Sequence, residues 1–335
     1  MDDRQLAAPE PRCGKTAARA RLVLRASAWL TVAFAVAASP LGAQQTGGSN
    51  GASNVVRVNY VYATQFGFGG YEVGGLRVGV YSLPLGLTFD DVLGDWDLQV
   101  DFPVTYGHFR FREDGVLESG ETGSIRTEIN TIGGEPRLQL DIPIPGLPGF
   151  RISPLGAFGF GTTFSSSGSI QRDGVVEPQT TDEDAFYTYQ IGLSSLYQRR
   201  WRDFVFSFGN AFIYAGDATF AREPGDVVEG YGTFRTGVQA RHPLGFKVAN
   251  FIPDAGVFFV YHLFTPALQF TRVGETSLEI DQIFEIGGTI GATQDSRIGW
   301  LPGFLNRAVN RFNIGIGYQT GQDLNGFRLS FGYPF

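Results

Sequence analysis

The chain reads as all-β: a transmembrane, antiparallel up-and-down β-barrel of about 12 strands. Three observations predict this. Residues 96–106 alternate without a break, with Trp96, Leu98, Val100, Phe102, Val104 and Tyr106 on one face and Asp97, Gln99, Asp101, Pro103, Thr105 and Gly107 on the other. A strand sends successive side chains to opposite faces, and a membrane-crossing strand needs about 9–11 residues. The same alternation recurs along the chain, in about eight further segments. The last nine residues repeat it once more: Phe327, Leu329, Phe331, Tyr333 and Phe335 are large and apolar, whereas Arg328, Ser330, Gly332 and Pro334 are not. An uncovered apolar strand at a chain end invites aggregation, but a strand closed into a barrel with its apolar face in lipid does not.

Taken in order, residues 1–43 read as a cleaved secretory signal. Six bases (Arg4, Arg12, Lys15, Arg19, Arg21, Arg25) precede an apolar stretch from Ala26 to Ala38, and Ser39-Pro40-Leu41-Gly42-Ala43 offers a small residue before a cut. The apolar stretch is shorter than the roughly 20 residues a membrane helix needs. The one cysteine, Cys13, falls inside this signal, so the expected mature chain has no disulfide, thiol nucleophile or thiolate metal ligand. Removing the signal's six bases and three acids from totals of 26 and 33 leaves 20 bases against 30 acids, a net charge of −10. That balance argues against nucleic acid as a partner. Residues 44–53 are a short Gly/Ser-rich linker.

From 54 to 335 the pattern predicts strands near 54–66, 71–84, 95–111, 122–143, 149–165, 183–198, 202–216, 228–242, 253–270, 276–292, 310–320 and 325–335. Residues 254–270 are apolar on both faces and give no side assignment. Residues 297–309 suggest a short helix before the final hairpin. Connections near 84–94, 145–149, 199–203 and 242–253 are tight or Pro-rich, whereas those at 112–122, 165–183, 216–228, 271–276 and 320–326 are acidic, Gly-rich or longer. Short turns at one end and longer loops at the other are what a spanning barrel shows, and an even strand count puts both chain ends at the short-turn end.

The apolar face is expected to meet lipid, with Tyr60, Tyr62, Trp96, Tyr106, Tyr187, Tyr189, Tyr318 and Tyr333 as interfacial girdles. In the segment around 76–80 this puts Leu76, Val78 and Val80 outward and Arg77 inward. In the segment around 278–286 it puts Leu278, Ile280, Phe284 and Ile286 outward. The opposite face supplies the lumen-lining candidates: Arg57, Arg77, Asp97, Asp101, Arg137, Asp141, Arg151, Arg235, Arg241, Glu279, Asp281, Glu285, Arg311 and Arg328. These residues could form a salt-bridge network that fills a narrow lumen, or a charged eyelet along a water path. A barrel of this size tends to fill with side chains, although lumenal glycines such as Gly79, Gly159, Gly315 and Gly317 would leave space.

The C-terminal strand resembles that of bacterial outer-membrane β-barrels, in which a terminal aromatic and alternating apolar residues form the assembly signal. Here that implicates Phe331, Tyr333 and Phe335. The last 25 or so residues, through Asp323-Leu324-Asn325-Gly326-Phe327, also resemble the closing hairpin of autotransporter-type barrels. With about ten residues expected between signal and first strand, no passenger is expected, so the resemblance is to a solitary barrel. It implies a Gram-negative outer-membrane location, with membrane lipid, lipopolysaccharide and the barrel-assembly machinery as partners. The last strand is expected to pair with Phe312–Tyr318 and to close against Val56–Tyr62.

Enzyme chemistry finds no pieces. His108, His242 and His262 have no Ser or Asp at hydrogen-bonding register, as a nucleophile–base pair requires. Ser49-Asn50-Gly51 superficially resembles the serine motif of outer-membrane phospholipase A, but no His stands two residues before it. The cluster Asp182-Glu183-Asp184 is similar to the acidic pairs of omptin proteases, but lacks their His. No metal-ligand spacing and no cofactor motif is visible. The expectation is a non-enzymatic barrel: a porin-like passive pore or transporter for small solutes, or a non-conducting structural or surface-interaction barrel with acidic outer loops.

Overall fold

The computed structural model describes residues 67–332, apart from 74–75, 84, 117–121, 165, 173–174, 182–183, 220–228, 248–250, 271–277 and 294–312. The expected signal, the linker, the strand at 54–66 and the helix at 297–309 lie outside the described residues. So do Arg57, Arg311, Tyr333 and Phe335.

The described chain is a closed antiparallel barrel of 12 strands. Several of the 12 are interrupted, giving seventeen segments. β1 (Gly67–Val73) is followed by β2 (Leu76–Leu83) with β3 (Gly86–Phe89), then by β4 (Asp97–Asp101) with β5 (Val104–Val116). Next come β6 (Thr122–Gly134) with β7 (Arg137–Pro143), β8 (Phe150–Phe164) with β9 (Ser166–Arg172), and β10 (Val175–Thr181) with β11 (Asp184–Trp201). β12 (Phe204–Thr219), β13 (Glu229–Pro243), β14 (Pro253–Phe270), β15 (Leu278–Ala292), β16 (Asn313–Gly321) and β17 (Leu324–Phe331) complete the wall. Two of the interruptions fall at Pro103 and Pro136, which have no N–H to give the ladder. Main-chain bonds from Glu135 N to Pro103 O (3.1 Å) and from Phe158 N to Pro136 O (3.1 Å) carry the wall across them.

Closure is direct. β17 pairs with β16 on one side, Phe327 opposite Tyr318, and with β1 on the other, Phe327 opposite Gly70 and Leu324 opposite Val73. No edge is left, so the apolar exterior has no unpaired backbone to expose. This corrects two expectations. The closing partner is β1, not Val56–Tyr62, and the segment 71–84 is not one strand but most of the β1–β2 hairpin, with Val73 opposite Leu76. The two glycines at 74–75, which fall in the middle of that segment, are the turn signal that the alternation masked.

β1 begins and β17 ends at the same end of the barrel, called here the terminal end. Its turns are tight. Between β7 and β8, Leu147 N donates to Ile144 O (3.1 Å) and Phe150 N to Leu147 O (3.0 Å), with Gly146 and Gly149 at φ +81° and +82°, a region other residues rarely enter. At the far end the wall has uneven height. β16 and β17 turn over within two residues, Gly321 opposite Leu324, while β5, β6, β9 and β10 continue as a raised sheet, Val116 opposite Thr122 and Arg172 opposite Val175. The segment 165–183, expected as a loop, is largely this β9–β10 hairpin.

The exterior is apolar, as a lipid-facing wall requires. On β16 and β17, Ile314, Ile316, Tyr318, Phe327 and Leu329 are exposed while Asn313, Gly315, Gly317, Gln319, Arg328 and Ser330 are buried. No helix among the described residues is long and apolar enough to cross a membrane. Crossing falls to the strands.

Candidate functional site: the barrel lumen

The inward side chains form two kinds of layer. Toward the far end lies an apolar cluster: Tyr71 and Val73 of β1, Val78 and Val80 of β2, Ala215, Tyr231, Phe264, Leu268, Ile280, Ile283 and Leu324. All are buried. Beside and below it, toward the terminal end, the lumen turns polar.

The centre of the polar layer is Glu285 of β15. Its Oε1 accepts from Arg328 Nη2 (2.7 Å) and Nε (3.1 Å), and its Oε2 accepts from Gln319 Nε2 (2.8 Å). His262 Nε2 stands 3.6 Å from Oε2. The Arg328 side chain is 2% exposed and that of Glu285 0%. Arg235, opposite His262 in the β13–β14 ladder, lies within electrostatic reach of Glu285, Arg328 and Arg137. Arg137 belongs to β7, on another part of the wall, so charges from distant strands meet across the lumen.

A second group surrounds Glu135, which accepts from Gln190 Nε2 and from Thr188 Oγ1 (3.3 Å) and faces Arg137 Nη2 at 3.6 Å. Nearer the terminal end, Arg241 Nη1 reaches Asp254 Oδ2 (3.5 Å) and Asn313 Oδ1 (3.4 Å), and Gln239 Nε2 donates to Thr289 Oγ1 (3.1 Å). The glycines opposite these groups do not leave the lumen open, because neighbours occupy the space. A Cβ at Gly317 would lie 3.0 Å from Glu285 Cδ, and one at Gly315 would lie 2.6 Å from Ser330 Oγ. Such contacts are closer than packed atoms allow.

At the terminal-end mouth, Asp101 accepts from Gln99 Nε2 (3.1 and 3.0 Å) and lies opposite Arg137 in the β4–β7 ladder. Asp141 accepts from Gln139 Nε2 (2.9 Å) and faces Arg151 Nη1 at 3.7 Å. Asp97 lies opposite Asp141 and accepts from the backbone N of Asp91 (3.3 Å). Asp97, Asp141, Gln99 and Gln139 are half-buried.

Of the expected lumen residues, the structure thus brings Arg328, Glu285, Arg235 and Arg137 to one electrostatic centre. It puts Arg241 in a group of its own and Asp97, Asp101, Asp141 and Arg151 at the mouth. Three stand elsewhere. Arg77 points outward, because Val78 and Val80 join the apolar cluster inside. The far half of the lumen is itself apolar, so the rule that apolar means lipid inverts there. Glu279 is exposed, and Asp281 is at the far rim, where its Oδ1 accepts from Gln322 Nε2 (2.8 Å). The cause is a break in register between Leu263/Gln282 and Leu268/Ile280, which resets the alternation and turns Ile280 inward. Arg57 and Arg311 lie outside the described residues.

The structure also adds lumenal residues not among the expected ones: His262, Gln319, Asn313, Asp254, Glu135, Gln190 and Gln239. Glu135 was readable from parity, since it shares the odd positions of Arg137, Gln139 and Asp141. Asp254 and His262 were not, because β14 is apolar on both faces: Phe258, Val260 and Phe264 are buried while Val257 and Phe259 are exposed. His108 faces outward, its Nδ1 2.8 Å from Asn130 Oδ1. No group of three or more His, Cys, Asp or Glu among the described residues could hold a metal ion.

No protein-family model matches the chain, and no curated protein sequence does. Solved structures similar to it include the β-domain of the Bordetella autotransporter BrkA, at 12% identity and TM-score 0.48, covering 80% of this chain and 96% of that one. The transport unit of the Escherichia coli autotransporter AIDA-I follows at 13% identity and TM-score 0.41, with coverage of 80% and 89%. The translocator domain of NalP from Neisseria meningitidis has 10% identity and TM-score 0.34, with coverage of 84% and 94%. The closed barrel itself stands on the strand pairing above.

Proposed function

We propose that the chain is a bacterial outer-membrane β-barrel that is non-catalytic and conducts no solutes at rest, and whose raised far-end strands face outward to meet partners. One observation carries this: the lumen is occupied. Arg328, Glu285, His262 and Gln319 are each at most 2% exposed, and eleven buried side chains pack beside them toward the far end. A water path through this section would leave those atoms wet. Small barrels fill in this way, whereas open channels come with wider walls. The wall above the far rim, β5–β6 and β9–β10, then offers the surface for recognition. Assembly would rest on Phe331, Tyr333 and Phe335, through the barrel-assembly machinery, and the exterior would contact lipopolysaccharide.

The test is a planar-bilayer recording of the folded barrel. The expected result is no stepwise conductance, for the native chain and for Asp101→Ala. Steady openings that change in Arg235→Ala would support the second reading, a pore or transporter for small solutes. That reading draws on the half-buried polar mouth at Gln99, Gln139 and Asp141.

A further inference from the structure

A polar row crosses the lipid-facing wall midway between its aromatic rims. On β12 the outward residues run Phe204, Phe206, Phe208, Asn210, Phe212, Tyr214, so an amide stands in the middle of an aromatic column. Its neighbours in register are Ser195 on β11 and Thr236 on β13, and Tyr261 of β14 lies opposite Thr236. Tyr261 spends its hydroxyl on Gln282 Oε1 (3.3 Å). A Ser or Thr hydroxyl can turn to a carbonyl of its own wall. Asn210 is different: its Oδ1 is shielded and has no hydrogen-bond partner. At this depth there is no water to supply one, and polar groups in such positions are costly unless another protein group meets them.

The rows on either side are large and apolar: Leu193, Phe212 and Phe234 toward the far end, Tyr197, Phe208 and Val238 toward the terminal end. The small polar row is therefore a shallow trough between two ridges, the relief that lets two walls approach closely in lipid.

We propose that this trough is the centre of a two-fold contact between two copies of the chain in the membrane, in which each Asn210 amide donates to and accepts from the other. The choice of a second copy rests on self-complementarity. An amide carries both a donor and an acceptor, so two related by a two-fold axis satisfy each other, and a two-fold contact uses the same patch twice. A lipid acyl chain offers neither group.

The experiment is cross-linking in native membranes. Cys13, the only cysteine, is replaced by Ser throughout. Thr236→Cys is expected to give an oxidised dimer of the chain, while Leu138→Cys, exposed on another part of the wall, is expected to stay monomeric. Asn210→Leu suits lipid and leaves the barrel folded by its heat-modifiable gel shift. It is expected to raise the dimer dissociation constant, read by energy transfer in vesicles, roughly threefold to thirtyfold. The proposal is overturned if folded Thr236→Cys gives no dimer, if Leu138→Cys cross-links equally, if Thr236→Cys is captured by a different protein, or if Asn210→Leu dimerises as tightly as the native chain.

Discussion

Removing Arg328 alone is expected to cost the barrel more than removing it together with Glu285. The Arg328 guanidinium reaches one carboxylate oxygen through two nitrogens, at 2.7 and 3.1 Å, with both side chains shielded from solvent. At 2.7 Å and an effective dielectric of about 20, the gross attraction is about 6 kcal/mol. Much of that offsets desolvation, so the pair's net worth is small, but a lone buried carboxylate keeps the desolvation and loses the attraction. Arg328→Met is therefore expected to destabilise by roughly 3–5 kcal/mol. Gln319 continues to donate to Glu285 Oε2 (2.8 Å), which favours the lower end. The double variant Arg328→Met, Glu285→Leu removes both charges at similar volume, and is expected to be near native or up to about 4 kcal/mol more stable. The assay is urea unfolding of the refolded barrel in lipid vesicles, followed by tryptophan fluorescence and by the gel shift. A single variant within about 1 kcal/mol of native, or a double variant worse than the single, would refute the reasoning.

Three further outcomes follow from the same geometry. Gly317→Val pushes a branched side chain into the Glu285 carboxylate and is expected to cost about 1–3 kcal/mol in the same unfolding assay, whereas Gly70→Ala, which meets nothing within 4 Å, is expected to be far milder. Ile316→Arg, on the lipid face between Ile314 and Tyr318, is expected to cost about 2–4 kcal/mol, and Asn325→Arg, at the far rim, at most about 1 kcal/mol. Phe335→Ala is expected to lower the yield of assembled barrel in cells without changing refolding of purified chain in detergent. Quantitative blotting of heat-modifiable material in the two settings separates these effects.

The barrel was legible in the sequence wherever one face is apolar and the other is not. Phe327 to Phe331 and Ile314 to Tyr318 meet that condition, and their outward and inward sides fall as alternation places them. The reading failed where the lumen is itself apolar. Val78 and Val80 obey the same period as a lipid-facing pair, and nothing local tells the two apart, so Arg77 was placed on the wrong side. It failed again at the β14–β15 irregularity, where a break in register moves Ile280 inward and Glu279 and Asp281 out to the surface and rim. Alternation is a local rule, and a bulge is set by the partner strand. Of the central charged group, Glu285, Arg328, Arg235 and Arg137 were readable as polar residues on an inward parity. Their convergence was not, since it depends on the barrel's closure, which brings residues far apart in sequence across one narrow lumen.

The central claim is that the lumen is closed to water, and cysteine accessibility tests it most directly. Val260 is 0% exposed, inward on β14 and opposite Glu285, while Gly321 lies at the β16–β17 turn. In a Cys13→Ser background, Val260→Cys in the folded barrel is expected to resist a small water-soluble thiol reagent applied from either side of the membrane, and to react fully once unfolded. Gly321→Cys is expected to react at once. Labelling of folded Val260→Cys at a rate near that of Gly321→Cys would mean water reaches the centre of the lumen, and would contradict the account.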